Sequence, residues 1–233
     1  MYVFFATECT QNLEKCDGSF EYIPNLICAQ QMCSKYEAVN DLSTDWEQCG
    51  KLIHVFWEDC VGKFIEYLWL SRPFAYKFYV ISHNSWGYDA QFLLRRFLEL
   101  RCVRQLVKDG TKSLSMCVEK LHFLDSLNYL PMNLKSMLIS FDLTCKKGYY
   151  PHLFNTAENL DYVALIPNPS TMGRLHVRWW ASPIFEMVQG TKTQNFLTIR
   201  KSNWPTAWTM SVYWGRHAVL FGICFWNWSR WTL

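Results

Sequence analysis

The chain has 233 residues, with 23 Lys and Arg against 20 Asp and Glu, for a net charge of +3. This length can bury a sizeable core, and the charge falls short of the dense basic footprint that would by itself mark a nucleic-acid partner. No stretch reaches the roughly 18 to 20 apolar residues of a membrane span, and the opening Met1 to Cys9 is too short for a signal peptide. The expectation is an intracellular protein, of nucleus or cytoplasm, with no membrane partner. Ten cysteines lie scattered between Cys9 and Cys224. They lack the density of a disulfide scaffold and read as reduced thiols, some of them candidate metal ligands.

Taken in chain order, Tyr2 to Phe5 is a short apolar strand and Leu52 to Trp57 another, while Val61 to Leu70 has helical spacing and stops before Pro73. Tyr79 to Ser82 is a strand. Asp89 to Leu100 carries Phe92, Leu93, Phe97 and Leu100 on one helical face, so a strand feeds a helix. Gln105 to Lys108 and Leu114 to Cys117 flank Asp109-Gly110, a turn dipeptide, which predicts a hairpin; Leu121 to Leu124 adds a further strand. The expected class is α/β with a mixed sheet flanked by helices, running over residues 1–173 and ending in the Pro-rich linker Ile166 to Ser170.

From Arg174 the composition changes. Eight of the 12 tryptophans fall in the last 60 residues, with seven Lys and Arg and a single acid, Glu186. Such a segment can stack on single-stranded nucleic acid or lie in a membrane interface, or it can be sequence never selected to fold. The genetic code offers a test. Because Trp is always TGG and Met always ATG, reading each codon as the last base of one residue plus the first two of the next forces Ala across Trp204-Pro205 and Asp across Trp208-Thr209. The whole of Trp204 to Ser211 is compatible with Ala-Tyr-Cys-Met-Asp-Asp-Val in that frame, and Trp226 to Thr232 with Glu-Leu-Val-Lys-Met-Asp. The irregular Trp-rich tail, 174–233, is therefore read as a frameshifted translation, with the frame lost near Gly173.

The residues that carry chemistry lie before the linker. His83-Asn84-Ser85-Trp86-Gly87-Tyr88-Asp89 joins a strand, a Gly turn and an aspartate opening a helix. On pattern alone Asp89 is a good N-cap. Val3 to Cys9 puts Glu8 at the end of a strand, where on pattern alone it is a solvated terminus. Leu124 to Pro131 contains Asp125-Ser126-Leu127, equally a strand end before a turn.

Together these segments resemble the exonuclease motifs of protein-primed family B DNA polymerases, and Lys146 to Asn155 resembles a segment of the transposon and viral, Maverick/Polinton-like, members. The resemblance implies an RNase H-like 3'-5' exonuclease domain over 1–173, using Mg²⁺ or Mn²⁺ as a pair of cations about 3.5–4 Å apart held by carboxylates. It implies that Glu8 and Asp89 are catalytic metal ligands, and that Asn84, Tyr88, Ser126 and Leu127 contact the single-stranded DNA of a primer end. A terminal priming protein is the further partner of the intact family. The pattern is incomplete. Residues two apart on a strand share a face, and the family's Asp-x-Glu begins here with Ala6, which has no oxygen to offer a hard cation. The third motif, a Tyr and an Asp beyond the linker, is missing in frame because 174–233 contains no Asp. The palm motifs for nucleotide addition are missing as well.

A second constellation is a degenerate zinc knuckle in a Cys-rich insert at 28–49. Tetrahedral zinc asks for two Cys-x-x-Cys pairs; Cys33 and Cys49 each stand where a pair would, with Cys28, Cys9, Cys16, Cys60 or His54 as substitutes, and zinc is not expected to bind. Three readings follow: an inactive fragment of a DNA-directed DNA polymerase, a non-catalytic single-strand-binding module, or a non-functional transposon-derived product.

Overall fold

The computed structural model describes residues 1–32, 53–70, 78–109, 112–141, 155–159, 163–165 and 196–198. Cys33, Cys49, most of the Lys146 to Asn155 segment, the Pro-rich linker and nearly all of the Trp-rich tail lie outside them. The chain divides into two compact units. The described part of the first falls in Met1–Thr7 and Leu26–Lys147, and that of the second in Glu8–Asn25 and Gly148–Trp214.

The first unit is built on a seven-stranded sheet whose order is β3-β2-β1-β4-β7-β6-β5. Its strands are β1 (Tyr2–Glu14), β2 (Phe20–Met32), β3 (Ile53–Trp57), β4 (Phe78–Ser82), β5 (Gln105–Asp109), β6 (Lys112–Val118) and β7 (Leu121–Asp125). β1 pairs parallel with β4 in the register Tyr2 to Tyr79, and β4 parallel with β7 in the register Phe78 to Leu121. β2 with β3, β5 with β6, and β6 with β7 are antiparallel. The sheet is thus mixed, as expected. The helices are α1 (Cys60–Leu70), α2 (Asp89–Glu99) and α3 (Leu134–Ser140).

Strand alternation sorts the core into two faces. Val3 and Phe5 of β1, Phe78 and Val80 of β4, and Leu121 and Phe123 of β7 join Phe64, Ile65 and Leu68 of α1 and Leu93, Leu94 and Phe97 of α2 in one cluster. The intervening Phe4 and Ile81 face the other way and pack with Leu130 and Met137 of α3. Helices therefore cover both faces. Odd positions of β1 and β7 and even positions of β4 point toward α1 and α2, and this phase also aims Ser82 and Asp125 toward the start of α2.

Among the elements that escape the sequence reading are β2 and α3. β2 is buried without a break from Asn25 to Gln31, so it shows no two-residue alternation. α3 begins at Asn133, whose side-chain oxygen accepts from the Ser136 N–H at 2.8 Å, a cap hidden behind Pro131.

In the second unit the β1 and β2 ends are joined by a turn closed by Lys15 and Ser19, and Gly18 takes the left-handed φ of 77° that the turn demands. Asn155 is fully buried. It exchanges amide hydrogen bonds of 2.7 and 3.2 Å with Asn25 and donates to the Cys9 carbonyl at 2.9 Å. β8 (Val163–Leu165) and β9 (Phe196–Thr198) form an antiparallel pair. No helix among the described residues is long and apolar enough to cross a membrane.

Adjacent residues of α2 test the core assignment. Phe97 is fully buried, 5.3 Å from the Phe123 ring and 6.0 Å from that of Trp69, whereas Leu98 is 55% exposed. Phe97→Ala should cost about 3–5 kcal/mol in urea unfolding and Leu98→Ala under about 0.5 kcal/mol.

Candidate functional site

The parallel strands β4 and β7 end on the same edge of the sheet, where loops leave toward α2 and the turn after β7, and β1 runs past that edge beside them. In α/β sheets this edge is where ligands gather. Here it holds two buried carboxylates, Asp89 and Asp125, 7% and 4% exposed.

Asp89 is the first residue of α2, and its side chain does not cap the helix. Its Oδ1 instead accepts the Thr7 N–H of β1 at 2.7 Å, and its Oδ2 accepts the Ser82 hydroxyl of β4 at 3.0 Å. One side chain thus ties α2 to two strands. Burial pushes its pKa up from 3.8 to about 6, opposed by the hydrogen bonds from Thr7 and Ser82 that favour the charged form.

Asp125 closes the neighbouring strand. Its Oδ1 accepts the Leu127 N–H at 2.9 Å and caps a short 3-10 turn, Ser126–Asn128. Its Oδ2 accepts the Trp86 N–H at 3.1 Å, 39 residues away in sequence. Asp125 therefore holds the turn after β7 against the turn after β4. The sequence reading gave it no role; only an aspartate just before a Ser-Leu turn signalled a cap.

Of the residues matched to primer contacts, Asn84 is exposed, while Tyr88 and Leu127 are half-buried. Tyr88 sets its ring edge-on to Phe92 at 5.4 Å. Ser126 is fully buried, its hydroxyl 3.0 Å from His83 Nδ1 and 3.4 Å from the Ser82 carbonyl, so it orients His83 from inside. The tight turn expected at Gly87 is made differently: Asn84 takes the left-handed conformation, φ 58°. Gly87 supplies room, since a Cβ there would lie 3.0 Å from Asn84 Oδ1.

Ala6 is half-buried, and Glu8, on the same side of β1 by strand alternation, is 4% exposed. Glu8 belongs to the second unit and Asp89 to the first. Within the first unit the donor set does not fit a pair of dications. Asp89 has both oxygens already engaged by donors, and Ala6 supplies none. Among the described residues no group of three or more His, Cys, Asp and Glu is gathered for a metal. Of the thiols named as zinc substitutes, Cys28 and Cys60 are buried in strand and helix, 2% and 1% exposed.

The pH dependence of stability checks the Asp89 environment. The folded chain holds a proton on Asp89 up to about pH 6, and the unfolded chain releases it near 3.8. Between these values the folded state binds more protons, so stability is greatest below the window and falls as pH rises through it. About two pKa units at 1.4 kcal/mol each make the loss about 3 kcal/mol. In Asp89→Asn, whose amide can still meet Thr7 and Ser82, this slope should vanish from urea unfolding measured between pH 4 and 7.

Over 87 residues, 37% of its length, the chain is 33% identical to a protein described as "Probable DNA polymerase" from Podospora anserina. That match spans 7% of the relative. Two solved structures of Phi29 DNA polymerase are also similar. One, an orthorhombic crystal form, has a TM-score of 0.43 and 15% identity, covering 64% of this chain and 24% of that one. The other, complexed with primer-template DNA, has a TM-score of 0.44 and 13% identity, covering 83% and 32%. No protein-family model matches.

Proposed function

We propose that the chain is a fragment of a DNA-directed DNA polymerase of family B, from the 3'-5' exonuclease region of a protein-primed, Maverick/Polinton-like replicase, and that it no longer cleaves DNA. The likeness to the Podospora protein supports a polymerase origin. What supports the loss of activity is the state of the carboxylates: Ala6, where the resemblance places an aspartate, has no oxygen to give, and both oxygens of Asp89 accept hydrogen bonds, from Thr7 and Ser82. Glu8 and Asp89 are the remnants of a site for Mg²⁺ or Mn²⁺, too few to balance two dications. In this reading 1–173 is an RNase H-like domain with a decayed zinc knuckle at 28–49, and 174–233 is out-of-frame sequence. A terminal priming protein belonged to the ancestral enzyme, which worked inside the cell.

One observation favours retained binding to single-stranded DNA. The turns bearing Asn84, Tyr88 and Leu127 are fastened together by the Asp125 carboxylate. Stacking and phosphate contacts need no cation site.

The test is the full chain with an end-labelled single strand in Mg²⁺ or Mn²⁺. No metal-dependent trimming is expected, while salt-sensitive binding that weakens in Tyr88→Ala supports the binding reading. Trimming that Asp89→Ala abolishes would overturn the loss of activity. The frame change has its own check: the coding bases for residues 204–211 should also spell Ala-Tyr-Cys-Met-Asp-Asp-Val.

A further inference from the structure

β6 and β7 are joined by only two residues, Glu119 and Lys120, with Glu119 in the left-handed conformation at φ 53°. So short a connection leaves no freedom of register. Val118 pairs with Leu121, and Cys117 must then face His122. Alternation sends Met116, Val118, Leu121 and Phe123 into the core beneath α1 and α2. Cys117 and His122 therefore emerge together on the opposite face, both half-buried. There Cys117 Sγ lies 3.1 Å from His122 Nδ1. The imidazole is steadied by Tyr79, its partner on β4, with ring centres 5.5 Å apart, and Tyr79 in turn stacks on Tyr2 at 5.5 Å.

A thiol hydrogen-bonded to an imidazole nitrogen is a nucleophile beside its base. With Nδ1 accepting from the thiol, the ring carries its own proton on Nε2. The other described thiols stand differently. Cys9, Cys28 and Cys60 are 0–2% exposed. Cys102 donates to the Phe97 carbonyl, which cannot take a proton, and burial pushes its pKa up. Cys16 is exposed on the turn of the second unit.

We propose that Cys117, with His122 as its base, is a reactive thiol at which soft electrophiles modify this chain. Sγ attacks the carbon bearing the leaving group, an S–C bond forms, and the leaving group departs with its bonding pair. The thiol proton passes to His122 Nδ1 and then to water. Both residues are half-buried, so part of each reaches the surface.

The experiment is a time course of the full chain with limiting iodoacetamide at neutral pH, followed peptide by peptide by mass spectrometry. Cys117 should label faster than the more exposed Cys16 by at least on the order of ten-fold, the roughly 10²–10⁴-fold assistance from a positioned base being reduced by the partial burial of Cys117. His122→Gln should bring its rate down to that of Cys16 or below, with the buried Cys9, Cys28 and Cys60 staying protected as the internal check on the fold. Labelling of wild-type Cys117 no faster than Cys16 would overturn the proposal, whether or not the variant folds. So would an unchanged Cys117 rate in a folded His122→Gln.

Discussion

The Asp89 carboxylate is the joint on which the edge of the sheet depends. A buried charge is costly unless hydrogen-bonded, and this one meets its needs by drawing in a main-chain N–H from β1 and a hydroxyl from β4. These two bonds fix where α2 begins. From there α2 lays Leu93 and Phe97 against Phe123 and the rest of the core. The raised pKa shows that hydrogen bonding offsets the burial only in part. The joint holds whether the group is charged or protonated, but not equally well.

Asp125 repeats the device one strand over. It caps the turn that follows its own strand and reaches back to Trp86, whose carbonyl accepts from Gln91 of α2 at 2.7 Å. Ser82, His83 and Ser126 complete the chain of contacts between the two turns. The outcome is a framework of two carboxylates and two serines that presents Asn84, Tyr88 and Leu127 outward. The framework is held by backbone and hydroxyl donors. The same Asp89 that a cation site would use is here occupied by the fold.

The legible parts of the sequence were those with local signals. Asp109-Gly110 marked the β5–β6 hairpin, and the spacing of Leu93 and Phe97 marked α2. The sequence carries β1 as far as Cys9, with Glu8 a solvated end on pattern alone, whereas the strand runs on to Glu14 and Thr7, Glu8 and Thr10 are all buried. β2 was missed since its burial is continuous, and α3 since its signal is a single Asn cap. Asp89 and Gly87 were recognised as special, but the first binds strands where the helix end seemed the natural partner, and the second makes space for Asn84 without turning the chain itself. The role of Asp125 rests on a bond spanning 39 residues, which no local pattern records.

The most direct test of this account is a ¹³C titration of the Asp89 carboxyl with and without Mg²⁺. A joint shared by β1, β4 and α2 predicts a midpoint of about 6 that Mg²⁺ leaves in place. A midpoint at the ordinary 3.8, or one that drops sharply when Mg²⁺ is added, would contradict it and return Asp89 to the role of a metal ligand.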